Sequence, residues 1–332
     1  MIGNRPAAVG ALSNDSLGLL CIFTFIRCNR GICPYYSRVH SISRPDPMTH
    51  TYATAATQYI QAGATRYAFR RMGGESGVPL IFLQNFRQGM DSTDPLLLDG
   101  FAQDRPVIIF DNAGVAGSSG ETPDTIEAMA DHVADFVGAL KLLQVDVLGF
   151  SIGGSTAIAS VLRHPQRVRR LLLVGTAPRG QEPRTDPRVD QVAGRPVLGL
   201  EEFLFLLFSP SQAGQAAGHA MWKRQQAAWE QRRQHGLDLD PPTSPQTAKA
   251  QYAAILEWRQ IKGERFAELR SIRQPTLIVS GANDIMVPTV NSWVMSQQIP
   301  RAQLIVYPDA GHAAHYQYPE LFLKHSKLFL DL

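Results

Sequence analysis

The sequence predicts an α/β fold: a doubly wound, mostly parallel sheet carrying a helical cap insertion. Three observations predict it. Short continuous apolar runs recur along the chain, the pattern of strands buried on both faces. Helix-patterned segments separate these runs, and that alternation requires a parallel sheet with helices on either side. Between about residues 179 and 263 the strand signals stop and helical patterns take over, an insertion too long for an ordinary loop.

The elements follow in order. Gln58-Tyr-Ile-Gln-Ala and Thr65-Arg-Tyr-Ala-Phe-Arg-Arg flank a turn at Gly63 and predict an antiparallel hairpin. Val78-Pro-Leu-Ile-Phe-Leu reads as a central parallel strand, followed by the polar loop Gln84-Asn-Phe-Arg-Gln-Gly-Met-Asp. Pro106-Val-Ile-Ile-Phe-Asp111 is the next strand, running into a glycine- and serine-rich loop that ends at Gly120. Thr122-Pro-Asp-Thr-Ile-Glu127 predicts a helix start with Asp124 as cap. Ile126, Met129, Val133, Phe136, Val137 and Leu140 then give that helix one core face. Val145 to Phe150 and Arg169 to Val174 are further strands, and Leu200–Phe208 and Ala213–Arg233 are helices of the cap, with a break at Pro241-Pro242. Strands resume at Pro275-Thr-Leu-Ile-Val-Ser and Ala302-Gln-Leu-Ile-Val-Tyr, and a last helix begins after Pro319.

Composition bounds the function. With 44% hydrophobic and 18% charged residues the chain can bury a sizeable core, and a formal net charge of +3 argues against nucleic acid or an anionic membrane surface as partner. All three cysteines, Cys21, Cys28 and Cys33, fall in the first 48 residues. That segment is rich in arginine and poor in acids, and its apolar run from Leu17 to Ile26 is too short to span a bilayer. Residues 1–48 are therefore expected to be an extension, disordered or a targeting segment, ahead of one domain over 49–332. The expected location is cytoplasmic, with secretion or organelle import through the extension as the alternative.

Chemistry concentrates at three strand ends. Gly149-Phe150-Ser151-Ile152-Gly153 lies between a buried strand and a helix of small residues. A serine at that apex is exposed and strained, and the helix N-terminus beneath it supplies unpaired N–H groups. Gly281-Ala-Asn-Asp284-Ile-Met-Val-Pro288 places a carboxylate just past the next-to-last strand. Asp309-Ala-Gly311-His312 places an imidazole just past the last. A parallel sheet carries all these ends on one edge, so nucleophile, base and acid can meet there in the order Ser, Asp, His.

From about Thr57 to its C-terminus the chain resembles serine hydrolases of the α/β-hydrolase superfamily, in the capped lipase, esterase and haloperoxidase-like group. The resemblance implies Ser151 as nucleophile, His312 as base and Asp284 as the group orienting it. It also implies an oxyanion hole from the N–H of Ile152 and that of Phe86. Gln84-Asn85 stands before Phe86 where relatives usually have His-Gly, a departure that bears on which N–H points inward. The implied activity is hydrolysis of an ester or related acyl bond in a small to medium hydrophobic compound, with no cofactor and no metal. Carbon–carbon bond hydrolysis, perhydrolysis, acyl transfer on the same triad, or ligand binding without turnover remain the alternatives. Oligomeric state is not readable.

Neighbouring candidates carry other readings. His315 competes with His312, but only His312 follows Ala-Gly directly after the strand. Asp111 is expected to brace its own loop. His219 and His235 are expected on the cap surface, and Met221, Trp222 and Trp229, at helical spacing, are expected to pack, although a cap helix would place some of them over the pocket. No lysine follows the serines and glycines of 117–120 at the spacing a phosphate-binding loop needs, and no dinucleotide fingerprint follows the first strand.

Overall fold

The structure, a computed structural model, describes residues 50–332 except 185 and 196. It also describes the backbone of a two-residue antiparallel pairing, Arg27–Cys28 with Gly31–Ile32. The rest of the expected N-terminal extension lies outside the described residues. Backbone contacts divide the chain after Arg44 into two units, and the larger, Pro45–Leu332, holds the main sheet and its helices.

Eight strands form one sheet: β1 (Gln58–Ala62), β2 (Thr65–Met72), β3 (Leu80–Leu83), β4 (Val107–Phe110), β5 (Val145–Phe150), β6 (Val168–Val174), β7 (Thr276–Gly281) and β8 (Ala302–Tyr307). Their order across the sheet is β8-β7-β6-β5-β3-β4-β2-β1. Pairings from β8 to β4 are parallel, and β2 joins β4 and β1 antiparallel. The expected hairpin and parallel core are both present.

Alternation along each central strand divides its side chains between two cores, as a pleat buried on both faces demands. Leu80, Phe82, Leu148, Phe150, Leu172 and Val174 face one side. They meet helix α1 (Pro95–Ala102) and the C-terminal helix, which begins at Pro319. Ile81, Leu83, Val145, Val147, Leu171 and Leu173 face the other, against α2 (Ile126–Ala139) and α3 (Ile152–Arg163). Helix α1 went unread in the sequence, although Asp94 caps it through the Leu96 N–H and Pro95 occupies its first turn. The cap of α2 is Thr125 rather than Asp124: the Thr125 hydroxyl accepts from the Ala128 N–H, and the helix begins one residue later than the sequence suggested.

The cap lies between β6 and β7 and holds α4 (Arg188–Ala193), α5 (Leu200–Leu207), α6 (Gln212–Gln234) and α7 (Pro245–Trp258). Polar anchors fasten α6 to the sheet layer. Trp229 Nε1 donates to the Asp91 carbonyl at 2.9 Å, and the fully buried Arg232 donates to the carbonyls of Tyr52 and Ala55. Beside them Arg70 of β2, also fully buried, pairs with Asp91 at 2.5 Å and with Asp240 of the cap at 3.1 Å. Asp111 lies near enough to feel the charges of Asp240 and Arg70, although among the described residues it makes no ion pair with either guanidinium. Desolvation outweighs the pairing with Arg70, and the Asp240 carboxyl is pushed up to about 6.

Two glycines set the central contact. A Cβ on Gly153 would lie 2.2 Å from the Leu83 carbonyl oxygen, and one on Gly149 would lie 2.4 Å from that of Gly153. Only bare backbone lets α3 descend onto β3 and β5. Gly153→Ala is therefore expected to lower the unfolding free energy by about 2–3 kcal/mol, read as a fall in the urea midpoint. The Asp240 shift also has a signed consequence. A carboxyl with a raised folded-state value contributes stability below the unfolded value near 4 and loses it as pH climbs through about 6. Asp240→Asn should thus gain on the parent chain by roughly 1–3 kcal/mol between pH 4 and 7, measured by paired denaturant titrations.

Candidate active site

Ser151 follows β5 directly and opens α3, with φ 56° and ψ −121°. A non-glycine residue there is strained, and surrounding bonds hold it. Its N–H donates to the Val174 carbonyl at 3.0 Å. Its carbonyl accepts from the N–H groups of Gly154 and Ser155 and from the Thr176 hydroxyl at 2.7 Å. The backbone of Ser151 is thus committed on both sides, and its hydroxyl is left at the sheet edge. Connections from β3 and from β5 run to opposite sides of the sheet, and the crevice between these strands is where open α/β sheets hold ligands.

The other two strand-end residues meet each other. His312 Nδ1 lies 2.8 Å from Asp284 Oδ2, with both side chains out of solvent. Asp284 Oδ1 accepts from the N–H groups of Met286 and Val287 at 2.9 and 2.8 Å, so one carboxylate oxygen closes its turn while the other holds the ring. His312 Nε2 is buried and finds no hydrogen-bond partner among the described residues. His312 and Ser151 both line one cavity. Phe86 and Ile152 border a cavity with Ser151, and neither N–H is donated to a protein acceptor among the described residues.

His315 is placed differently. It is fully buried against Phe150 and Tyr316, away from any carboxylate partner. Burial and the neighbouring His312 hold its pKa well below the ordinary value, so it stays neutral. Asp111 accepts from the Met90 and Gly117 N–H groups at 2.9 and 3.0 Å, bracing its own loop and the segment after β3. His219 and His235 are exposed on the cap. Met221 packs, whereas Trp222 and Trp229 line the cavity at Ser151, the placement over the pocket that a cap helix allows some of the three.

Two hollows meet at Ser151, sharing Phe86, Ala193 and Met286 as walls. The smaller, about 180 Å³, lies under Leu198, Phe203, Leu206 and the two tryptophans. The larger, about 390 Å³, runs toward Arg184, Lys249, Tyr252 and Arg259. None of these four was singled out in the sequence: Arg184 lies in an irregular segment, and Lys249, Tyr252 and Arg259, in or at the end of α7, carry no local signal of which pocket they face. Met286 and Val287, by contrast, were legible in principle as immediate neighbours of Asp284. Among the described residues no helix is long and apolar enough to cross a membrane.

Comparison with known proteins agrees with this geometry. The family model described as alpha/beta hydrolase fold matches residues 78–319. A solved structure, an alpha/beta hydrolase fold protein from Chitinophaga pinensis, superposes with a TM-score of 0.78 at 39% identity, covering 85% of this chain and 99% of that one. The pimeloyl-[acyl-carrier protein] methyl ester esterase of Nitrosomonas europaea is 30% identical over 210 residues, 60% of this chain and 75% of the esterase. The 2-hydroxymuconate semialdehyde hydrolase of Pseudomonas sp. (strain CF600) is 26% identical over 251 residues, 74% of this chain and 84% of that hydrolase. With a strained serine at the crevice of a doubly wound sheet, a capped site and a family match over most of its length, this chain belongs to the α/β-hydrolase fold family.

Proposed function

We propose that the chain is a serine hydrolase that cleaves an ester or related acyl bond through an acyl-serine intermediate, without a cofactor. The observation that carries this reading is the pair His312–Asp284, whose free Nε2 shares a cavity with a strained, outward Ser151. Similarity to proteins named as an esterase and a semialdehyde hydrolase supports it.

In this reading His312 Nε2 takes the proton from Ser151 Oγ as the oxygen attacks the carbonyl carbon. Asp284 fixes the tautomer with the other proton on Nδ1 and stabilises the imidazolium that forms. The N–H groups of Ile152 and Phe86 receive the oxyanion, where each donor is worth roughly 3 kcal/mol of barrier. His312 returns the proton to the leaving group, and water, deprotonated by the same ring, releases the acyl chain. The apolar hollow under Trp222 and Trp229 suits a small to medium hydrophobic portion of the substrate.

A fluorophosphonate probe should label the protein at Ser151, with the adduct found by peptide mass spectrometry and lost in Ser151→Ala. A panel of short p-nitrophenyl esters, thioesters and lactones should show turnover of at least one class. Ser151→Ala should then reduce kcat by roughly 10⁴-fold or more, and Asp284→Asn by roughly 10³–10⁴-fold. Labelling elsewhere, or turnover indifferent to Ser151, would overturn the assignment.

A further inference from the structure

We propose that the larger hollow beside Ser151 is an anion subsite, and that the substrate is an acyl compound bearing a carboxylate held by Arg184 and Arg259. The proposal rests on the serine-hydrolase reading for the identity of the reacting atom. It names the substrate class that reading leaves open.

The two hollows differ in charge. Among the described residues, four cationic side chains, Arg87, Arg184, Lys249 and Arg259, line the larger one against a single carboxylate, Asp190. The smaller has no Asp, Glu, Lys or Arg among the described residues of its wall. Asp190 lies 3.1 Å from Arg184, whose side chain is only 12% exposed. Arg259 forms no ion pair among the described residues, and the Nε atoms of both Arg184 and Arg259 are buried without a hydrogen-bond partner. Asp284 also lies near enough to favour the Arg184 cation, but its oxygens already serve His312 and two backbone N–H groups.

Burial and the adjacent Arg259 charge both depress the pKa of Arg184. Two guanidinium groups that repel in a partly dry pocket are held there at a cost that a bound anion offsets. Their planar forks match the two oxygens of a carboxylate, and Ile126, Ile255 and Trp258 supply apolar wall to the hollow that they share with Ser151. The fold thus presents the Ser151 hydroxyl between a cationic lobe and one without Asp, Glu, Lys or Arg among its described residues, where leucine, phenylalanine and tryptophan form much of the wall. A substrate spanning both carries an acid group on one side of the scissile bond and a hydrophobic group on the other.

Two matched pairs test this. Mono-p-nitrophenyl adipate against its methyl ester places the carboxylate on the acyl side, and 4-acetoxybenzoate against its methyl ester places it on the alcohol side. In at least one pair the anion should be favoured tenfold or more in kcat/KM, the ratio falling to within about twofold of unity in Arg259→Met and Arg184→Met and partly surviving in Arg259→Lys. Independently of turnover, calorimetry should show monomethyl adipate binding to Ser151→Ala, weakened at least fivefold when Arg259→Met is added. Ester turnover with no preference for the anion, or a preference that survives both methionine variants, would overturn the subsite and leave the hydrolase reading standing. Arginine-dependent binding of the monoester without turnover or probe labelling would do the reverse.

Discussion

The descent of one helix onto two strands is the constraint on which the rest of this molecule depends. Helix α3 starts so close to the end of β3 that no side-chain carbon fits at Gly153, and the turn before it leaves none at Gly149. That approach forces the intervening residue into a positive φ, and the bonds from Ser151 to Val174, Gly154, Ser155 and Thr176 hold it there. A hydroxyl so placed stands at the carboxyl edge of the sheet, beside the loop after β3. The ends of β7 and β8 then have to deliver only two side chains to the same edge, and they deliver them as a bonded pair.

What lies over that edge is decided by a different kind of interaction. Besides the apolar side chains that the cap buries in both cores, it is tied down by charged groups in a dry place. Arg70 and Arg232 are fully buried, and Asp91, Asp111 and Asp240 gather around them. Such a cluster gives little net stability, because each ion loses its water. Its effect is positional: a guanidinium with several fixed acceptors has one favourable placement, whereas an apolar helix face can slide. Trp229 is held in this way by the Asp91 carbonyl while its ring walls the cavity at Ser151. The anchoring and the shape of the pocket therefore share a residue.

The two hollows that meet at Ser151 are unequal in charge because they are built by different parts of the cap. Helices α5 and α6 turn leucine, phenylalanine and tryptophan toward the smaller one. The segment after β6 and the end of α7 bring arginines to the larger. The pocket is asymmetric about the Ser151 hydroxyl, and such asymmetry orients a ligand as well as admitting it.

The sequence by itself determined the sheet and its edge. Runs such as Leu80–Leu83 and Val145–Phe150 have a period and length that only buried parallel strands satisfy, and polar residues immediately beyond such runs must emerge on one side. Ser151, Asp284 and His312 were legible for that reason, each within a few residues of a strand end. The tertiary structure alone decided what surrounds them. It showed that Asp284 faces His312 rather than His315, that Thr125 rather than Asp124 caps α2, and that Trp222 and Trp229 face the cavity. It alone brought Arg184 and Arg259 to one hollow, and Arg70 of β2 beside Asp240 of the cap. Local sequence fixes where a strand ends because that depends on neighbouring residues and hydrophobic period. Which distant side chains then share a pocket depends on how the cap docks, through long-range contacts that leave no periodic trace in the chain.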